Sequence, residues 1–172
     1  MKKACMIIAT VCGIILVIGG TSWASGNHRL GGGVRYWTAL EDVDTDDVDE
    51  NGLAYILSYQ YQMAGFFKLE GNVEFLGEGY AGSDDYVISP QAYFLIGRGL
   101  YGGLGIGINL SGGDFDDNAY FAFKAGIDLE ILPSIFLDIN GNYRFEDWNS
   151  DGVKEDISTD TVALGIIMRF EF

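Results

Sequence analysis

The run Asp147-Trp148-Asn149-Ser150-Asp151-Gly152 places three oxygen-bearing side chains on alternate residues and ends on a glycine. This is the first half of a calcium-loop pattern, in which alternate side chains converge on one hard cation and glycine permits the sharp turn. The twelfth position should supply a bidentate Glu and is Ser158 instead, with Glu155, Asp156 and Asp160 as substitutes. The candidate Ca²⁺ set is therefore Asp147, Asn149, Asp151 and Glu155, and the competing reading is an ordinary Asp/Asn/Gly turn. Asp42-x-Asp44-x-Asp46 repeats the alternation but has Asp47 where the glycine belongs. No other cofactor is expected. A second chemically capable set is spread along the chain: Arg35, Lys68, Glu70, Glu74, Lys124, Asp128, Glu130, Asp138, Arg144, Arg169 and Glu171. What these charges do depends on the elements that hold them.

The chain has 172 residues, 10 basic and 25 acidic, for a formal net charge of −15. Nucleic-acid binding needs a basic face, so that class is excluded. Disorder needs low hydrophobicity beside high charge, whereas 48% of these residues are apolar. Met1-Lys2-Lys3 is followed by an uncharged apolar run from Ala4 to Ile18, a Gly19-Gly20 break and small residues Ser22 and Ala24. These are the parts of a secretory signal peptide, predicted to be cleaved after Ala24. The run is short for a spanning helix, which needs roughly 20 apolar residues. Residues 1–24 are thus expected to be the leader and 25–172 a single domain. Both cysteines, Cys5 and Cys12, fall in the leader, so no disulfide is expected in the mature domain.

No helical periodicity is sustained beyond the leader. Apolar residues instead recur at every second position in eight segments. In the last, Val162, Leu164, Ile166, Met168, Phe170 and Phe172 alternate with Ala163, Gly165, Ile167, Arg169 and Glu171. Most segments are near the 9–11 residues of a tilted membrane strand. Short turns are expected near Ala64-Gly65, Gly97-Arg98-Gly99 and Pro133-Ser134. Longer segments are expected at Glu41–Gly52, Gly79–Asp85, Ser111–Asn118 and Asp147–Asp160. Short turns alternating with long loops predict an all-β, eight-stranded antiparallel up-and-down transmembrane β-barrel, with both termini on the periplasmic side. The four long segments hold 17 of the 25 acids and one base, Lys154. The apolar parity carries no charge in any strand, so it must face lipid or a second sheet, and only a closed barrel leaves no edge in hydrocarbon. Aromatics cluster near strand ends, among them Trp37, Tyr59, Tyr61, Tyr80, Tyr120 and Trp148, and several fit interfacial girdles.

The terminal segment Thr161–Phe172 resembles the assembly β-signal of outer-membrane barrels, with Leu164, Ile166, Met168, Phe170 and Phe172 at the alternate apolar and final aromatic positions. The mature chain is similar to the small eight-stranded OmpA/OmpX-like family, as a barrel domain alone, without the periplasmic domain of the OmpA type. The resemblance implies residence in the bacterial cell outer membrane as a monomer among lipid and lipopolysaccharide, delivered by the barrel-assembly machinery through its C-terminal strand. Some similar barrels are lipid A enzymes using His with Ser at the outer leaflet. The only histidine here, His28, is expected at the opposite rim, so no enzymatic activity is expected. The OmpW branch implies an apolar lumen, which the charged inner parity does not match.

The expected function is structural or surface-interacting. The lumen is expected to be polar, plugged by a charge network of Arg35, Glu74, Lys124, Asp128, Asp138, Arg144 and Arg169, with acidic loops outside. At least one basic–acidic contact is expected among Arg35, Glu74 and Lys124. The alternative is a small cation-preferring channel, in which inward Gly103, Gly105, Gly107, Gly126, Ala163 and Gly165 leave room for water.

Overall fold

The computed structural model describes residues 27–40, 49–63, 65–80, 83, 85–148 and 157–172. The leader and its cleavage point lie outside them. Eight strands follow in chain order: β1 (Asn27–Ala39), β2 (Asn51–Met63), β3 (Phe67–Leu76), β4 (Val87–Gly97), β5 (Leu100–Ser111), β6 (Asp114–Leu132), β7 (Ile135–Trp148) and β8 (Ile157–Glu171). Each pairs antiparallel with its neighbour in sequence, and β8 returns to β1 to close the barrel. The alternation in the sequence is the cause. A period of two sends one parity to each face, so a one-residue slip would put charges outside and leucines inside.

The outer face is apolar along its length. Leu53, Leu57, Leu104, Phe121, Ile139, Leu164, Ile166 and Phe170 are all exposed there. So large an exposed apolar band is a lipid-facing surface. His28 also points outward, at the end of the barrel that carries both termini. Its Nδ1 lies 2.7 Å from the Tyr59 hydroxyl, and its ring packs near Tyr61 and Phe172. Phe172 donates its backbone N–H to the His28 carbonyl, which fastens the last residue to the first strand.

The three short turns form where expected. Gly65 takes φ 77°, Gly97 takes φ 129° and Ser134 takes φ 64°. A Cβ on Gly97 would lie 2.2 Å from the Leu100 carbonyl oxygen, so the β4–β5 turn needs a glycine there. The third long connection is not a loop. Ser111 pairs with Asp114, leaving only Gly112 and Gly113 between strands, both at positive φ. Two glycines supply the left-handed pair that a two-residue hairpin turn demands, so β6 continues through Asp114, Asp116 and Asp117. Likewise Asp147 belongs to β7 and Asp160 to β8, paired with Ser158 and Phe145 respectively.

Three of the strand-end aromatics lie inside rather than in a girdle. Trp37, Tyr80 and Tyr120 are buried. Trp37 and Tyr120 lie on the inward parity, and Tyr80 folds in from the β3–β4 connection to meet Trp37 edge-on, with ring centroids 4.7 Å apart. Trp37 and Tyr80 form an apolar cluster with Ala54, Leu76, Val87 and Ala163 inside the loop end of the barrel, while Tyr120 packs with Tyr93, Leu95, Tyr101 and Ala122.

Candidate functional site: the charged lumen

All seven charges expected in the lumen are buried. They fall into three tiers, because each strand carries its inward side chains at fixed two-residue steps. Nearest the termini, Asp128 Oδ2 accepts from Arg29 Nη1 and from Lys68 Nζ, each at 2.7 Å. Arg29 Nε also donates to Glu171 at 2.8 Å.

The middle tier is built around Glu70 and Asp138. Glu70 accepts from Lys124, from Arg169 Nη2 at 3.0 Å, and from the amides of Gln60 and Asn72 at 2.9 Å each. Asp138 accepts from Arg169 Nη1 and the Tyr101 hydroxyl, both at 2.7 Å, and from the Asn140 amide at 2.5 Å. The third tier is Glu74, held between Arg35 and Arg144, one on each carboxylate oxygen. The expected contact among Arg35, Glu74 and Lys124 is therefore the Arg35–Glu74 pair, while Lys124 goes to Glu70. Above this tier sits the apolar cluster of Trp37 and Tyr80.

A carboxylate buried without partners would be prohibitively costly. Here the acceptors are matched by several donors each, and the cations gain a second partner from aromatic rings. Arg29 lies over Phe136 at 3.5 Å, Lys68 over Tyr101 at 4.9 Å, Lys124 over Tyr93 at 5.5 Å and Arg144 over Tyr120 at 5.6 Å. A desolvated cation over such a ring gains about 2 kcal/mol.

The inward glycines make space for these rings. A Cβ on Gly105 would lie 2.3 Å from Tyr93 Cδ1, and one on Gly107 would lie 2.3 Å from Tyr120 Cζ. Gly126 faces the Tyr101 hydroxyl, and Gly165 faces Arg35 and Asn140. One wall, β4 to β6, is thus glycine backbone covered by tyrosines, and the opposite wall carries most of the charge. We expect Gly105→Ala to displace Tyr93 and break its hydrogen bonds to Gln91 and Asn142. The cost should be about 1–3 kcal/mol, read from the denaturant midpoint in lipid. Combining it with Tyr93→Leu should cost less than the sum of the single changes.

Three residues of this network stand outside the seven-residue set expected from sequence. Glu70 and Lys68 were on the inward parity, and nothing in their spacing marks Glu70 as the best-connected carboxylate. Arg29 shares its parity with Arg35, which was the available signal. Two inward-parity carboxylates are at the mouth rather than in the closed interior. Glu130 is exposed, because the β6–β7 register shifts between Glu130 and Leu132, and Glu171 is partly exposed.

Of the calcium candidates, Asp147 is described by its backbone alone, and Asn149, Asp151 and Glu155 lie outside the described residues. Among the described residues no group of three or more His, Cys, Asp or Glu is placed to hold a metal ion.

A closed eight-stranded antiparallel barrel with an apolar exterior and buried charges inside is the fold of small outer-membrane β-barrels. Comparison with solved structures agrees. The Neisserial surface protein A is similar over 86% of this chain and 97% of its own, with TM-score 0.59 and 13% identity. The outer-membrane protein AlkL is similar over 89% and 93%, with TM-score 0.53 and 14% identity. Ail, the attachment invasion locus protein of Yersinia pestis, is similar over 86% and 99%, with TM-score 0.50 and 16% identity; it was solved with the heparin analogue sucrose octasulfate. No protein-family model and no curated protein sequence matches the chain.

Proposed function

We propose that this protein is an integral outer-membrane barrel with a plugged lumen, serving a structural or surface-interaction role through acidic loops. The observation that carries the plug is the middle tier. Glu70, Lys124, Asp138 and Arg169 cross-link β3, β6, β7 and β8, while Tyr93 and Tyr120 fill the glycine-lined side. The barrel acts as a rigid holder and carries no catalysis. Its loops face outside, its short turns and both termini face the periplasm, and it works as a monomer. Lipid and lipopolysaccharide are its surroundings, and β8 is the strand read by the assembly machinery, with Leu164, Ile166, Met168, Phe170 and Phe172 facing outward.

Conductance tests the plug. Purified barrel in a planar bilayer should give no stepwise current, and a stepwise cation current would overturn the plug in favour of a channel. The buried charges argue against a cation path: among the described residues, six cations and four carboxylates are buried. A path through this interior would disfavour cations.

The loops are where surface interaction belongs. Their carboxylates form a negative crown that repels anions and gathers cations. Divalent ions would bridge them to lipopolysaccharide phosphates. If Asp147, Asn149, Asp151 and Glu155 form a true calcium site, Trp148 fluorescence should change saturably with Ca²⁺, and Asp151→Ala should abolish the change. A weak response that salt screens and Asp151→Ala leaves intact means a diffuse crown only.

A further inference from the structure

The interior is open at the end bearing the termini. A cavity of about 440 Å³ lies there, lined by Arg29, Lys68 and Arg98 together with Asp128, Glu130 and Glu171. That volume suits a small organic guest. Its lining is unlike that of an apolar ligand pocket, since three cations and three carboxylates share it. Charges of both signs in equal number disfavour a simple anion or cation and favour a guest carrying one of each.

Several of these groups are already committed. Arg29 and Lys68 spend donors on Asp128 Oδ2, and Glu171 accepts from Arg29 and from the Asn27 amide. Others are not. Asp128 Oδ1 is buried and has no hydrogen-bond partner. Asp128 lines the cavity and is 8% exposed, but Oδ1 itself is closed to solvent, so it is out of a guest's reach. At the rim Glu130 is exposed and accepts a long hydrogen bond, 3.4 Å, from the Ser134 backbone N–H. Arg98 uses Nε on the Gly65 carbonyl at 2.8 Å, which fixes the guanidinium beside the mouth while it stays solvent-accessible.

The rim is also held in place. Gly97 N–H donates to the Phe66 carbonyl, and Asp128 N–H to that of Gly99, so the turns are tied together and to β6. A pre-organised rim lowers the ordering cost of binding.

We infer that this mouth is a binding site for a small zwitterion of amino-acid or dipeptide size. Its ammonium is taken by Glu130 and its carboxylate by Arg98, with Gln62, also in the lining, available to the groups between. The inference goes beyond the plug, because a lumen that leaked ions could still hold a guest at its mouth, and a sealed one could still lack the site.

The test uses the folded mature chain in lipid nanodiscs, with glycylglycine as the probe and amide chemical shifts as the readout. Gly65 and Gly99 should shift saturably, while Gly112 and Gly113 at the far end should not. N-acetylglycylglycine and glycylglycinamide, each lacking one charge, should bind about tenfold or more weakly, the loss of one charged hydrogen bond. Arg98→Gln and Glu130→Gln change exposed side chains, so folding is retained, and each should weaken glycylglycine by a similar factor. The inference is overturned by shifts that do not saturate, by equal response to the blocked probes, by equal response at Gly112 and Gly113, or by unchanged binding in both Arg98→Gln and Glu130→Gln.

Discussion

Glu70→Ala is expected to lower the unfolding free energy in lipid by about 3–5 kcal/mol, the cost of breaking a buried charge pair from one side. Four donors converge on this carboxylate, from Lys124, Arg169, Gln60 and Asn72. Removing it leaves the Lys124 ammonium buried with no carboxylate partner, while Arg169 keeps Asp138. The measurement is the denaturant midpoint, followed by the gel shift between folded and heated barrel. Glu78→Gln, at an exposed site past the end of β3, should stay within about 0.5 kcal/mol of the parent. Glu70→Leu combined with Lys124→Met should recover much of the loss, since it removes both charges together. A single Glu70→Ala chain as stable as the parent would mean the interior is wet enough to solvate Lys124, and the plug would be refuted.

The second large effect is on the outside. Ile166→Arg is expected to cost about 2–4 kcal/mol, because a guanidinium near the bilayer midplane must be dragged toward water. Ile166 is 51% exposed on β8, opposite Val34 of β1 and Ile139 of β7, with apolar neighbours on both sides. Its sequence neighbour Gly165 is buried, and a Cβ there would meet Arg35 and Asn140 at 3.1–3.2 Å. Gly165→Val therefore acts by crowding the third tier and should cost about 1–3 kcal/mol irrespective of lipid thickness. Two adjacent residues thus fail for opposite reasons. Refolding into thin and thick bilayers separates them, since only the Ile166→Arg penalty should depend on depth. Equal stability of Ile166→Arg and parent would refute the facing assigned to β8.

Much of this was legible in the residue order. The lipid-facing band enforces a period of two, so strand number, facing and the closed topology follow from Leu, Ile and Phe at alternate positions. The same rule put Arg35, Glu74 and Arg169 inside. It could not say which cation meets which carboxylate. Those partners come from opposite walls, and the stagger between strands decides that Lys124 meets Glu70 while Arg35 and Arg144 share Glu74. The rings were misjudged for a related reason. Trp37 and Tyr120 lie near strand ends, where an aromatic suits a girdle, but parity outranks position and sends both inward. Gly112-Gly113 was read as part of a loose acidic segment when it is a hairpin turn. The acids that follow suit a loop in composition, yet their backbone continues the β5–β6 ladder.

The three tiers also bear on the order in which the chain can fold. Arg29 meets Asp128 across 99 residues, Arg169 meets Glu70 across 99 and Ser58 across 111. None of these bonds exists in a hairpin or in a half-formed sheet. Until β8 reaches β1, those side chains keep water as their partner. Dehydration of the interior therefore comes last and all at once, as a toll on closure rather than on strand pairing. Contacts of such long sequence separation are slow to form, because the chain entropy of loop closure is surrendered before they contribute. A fragment lacking the last strand would keep a water-filled trough lined with unmatched charge, with no stable resting state short of the whole ring.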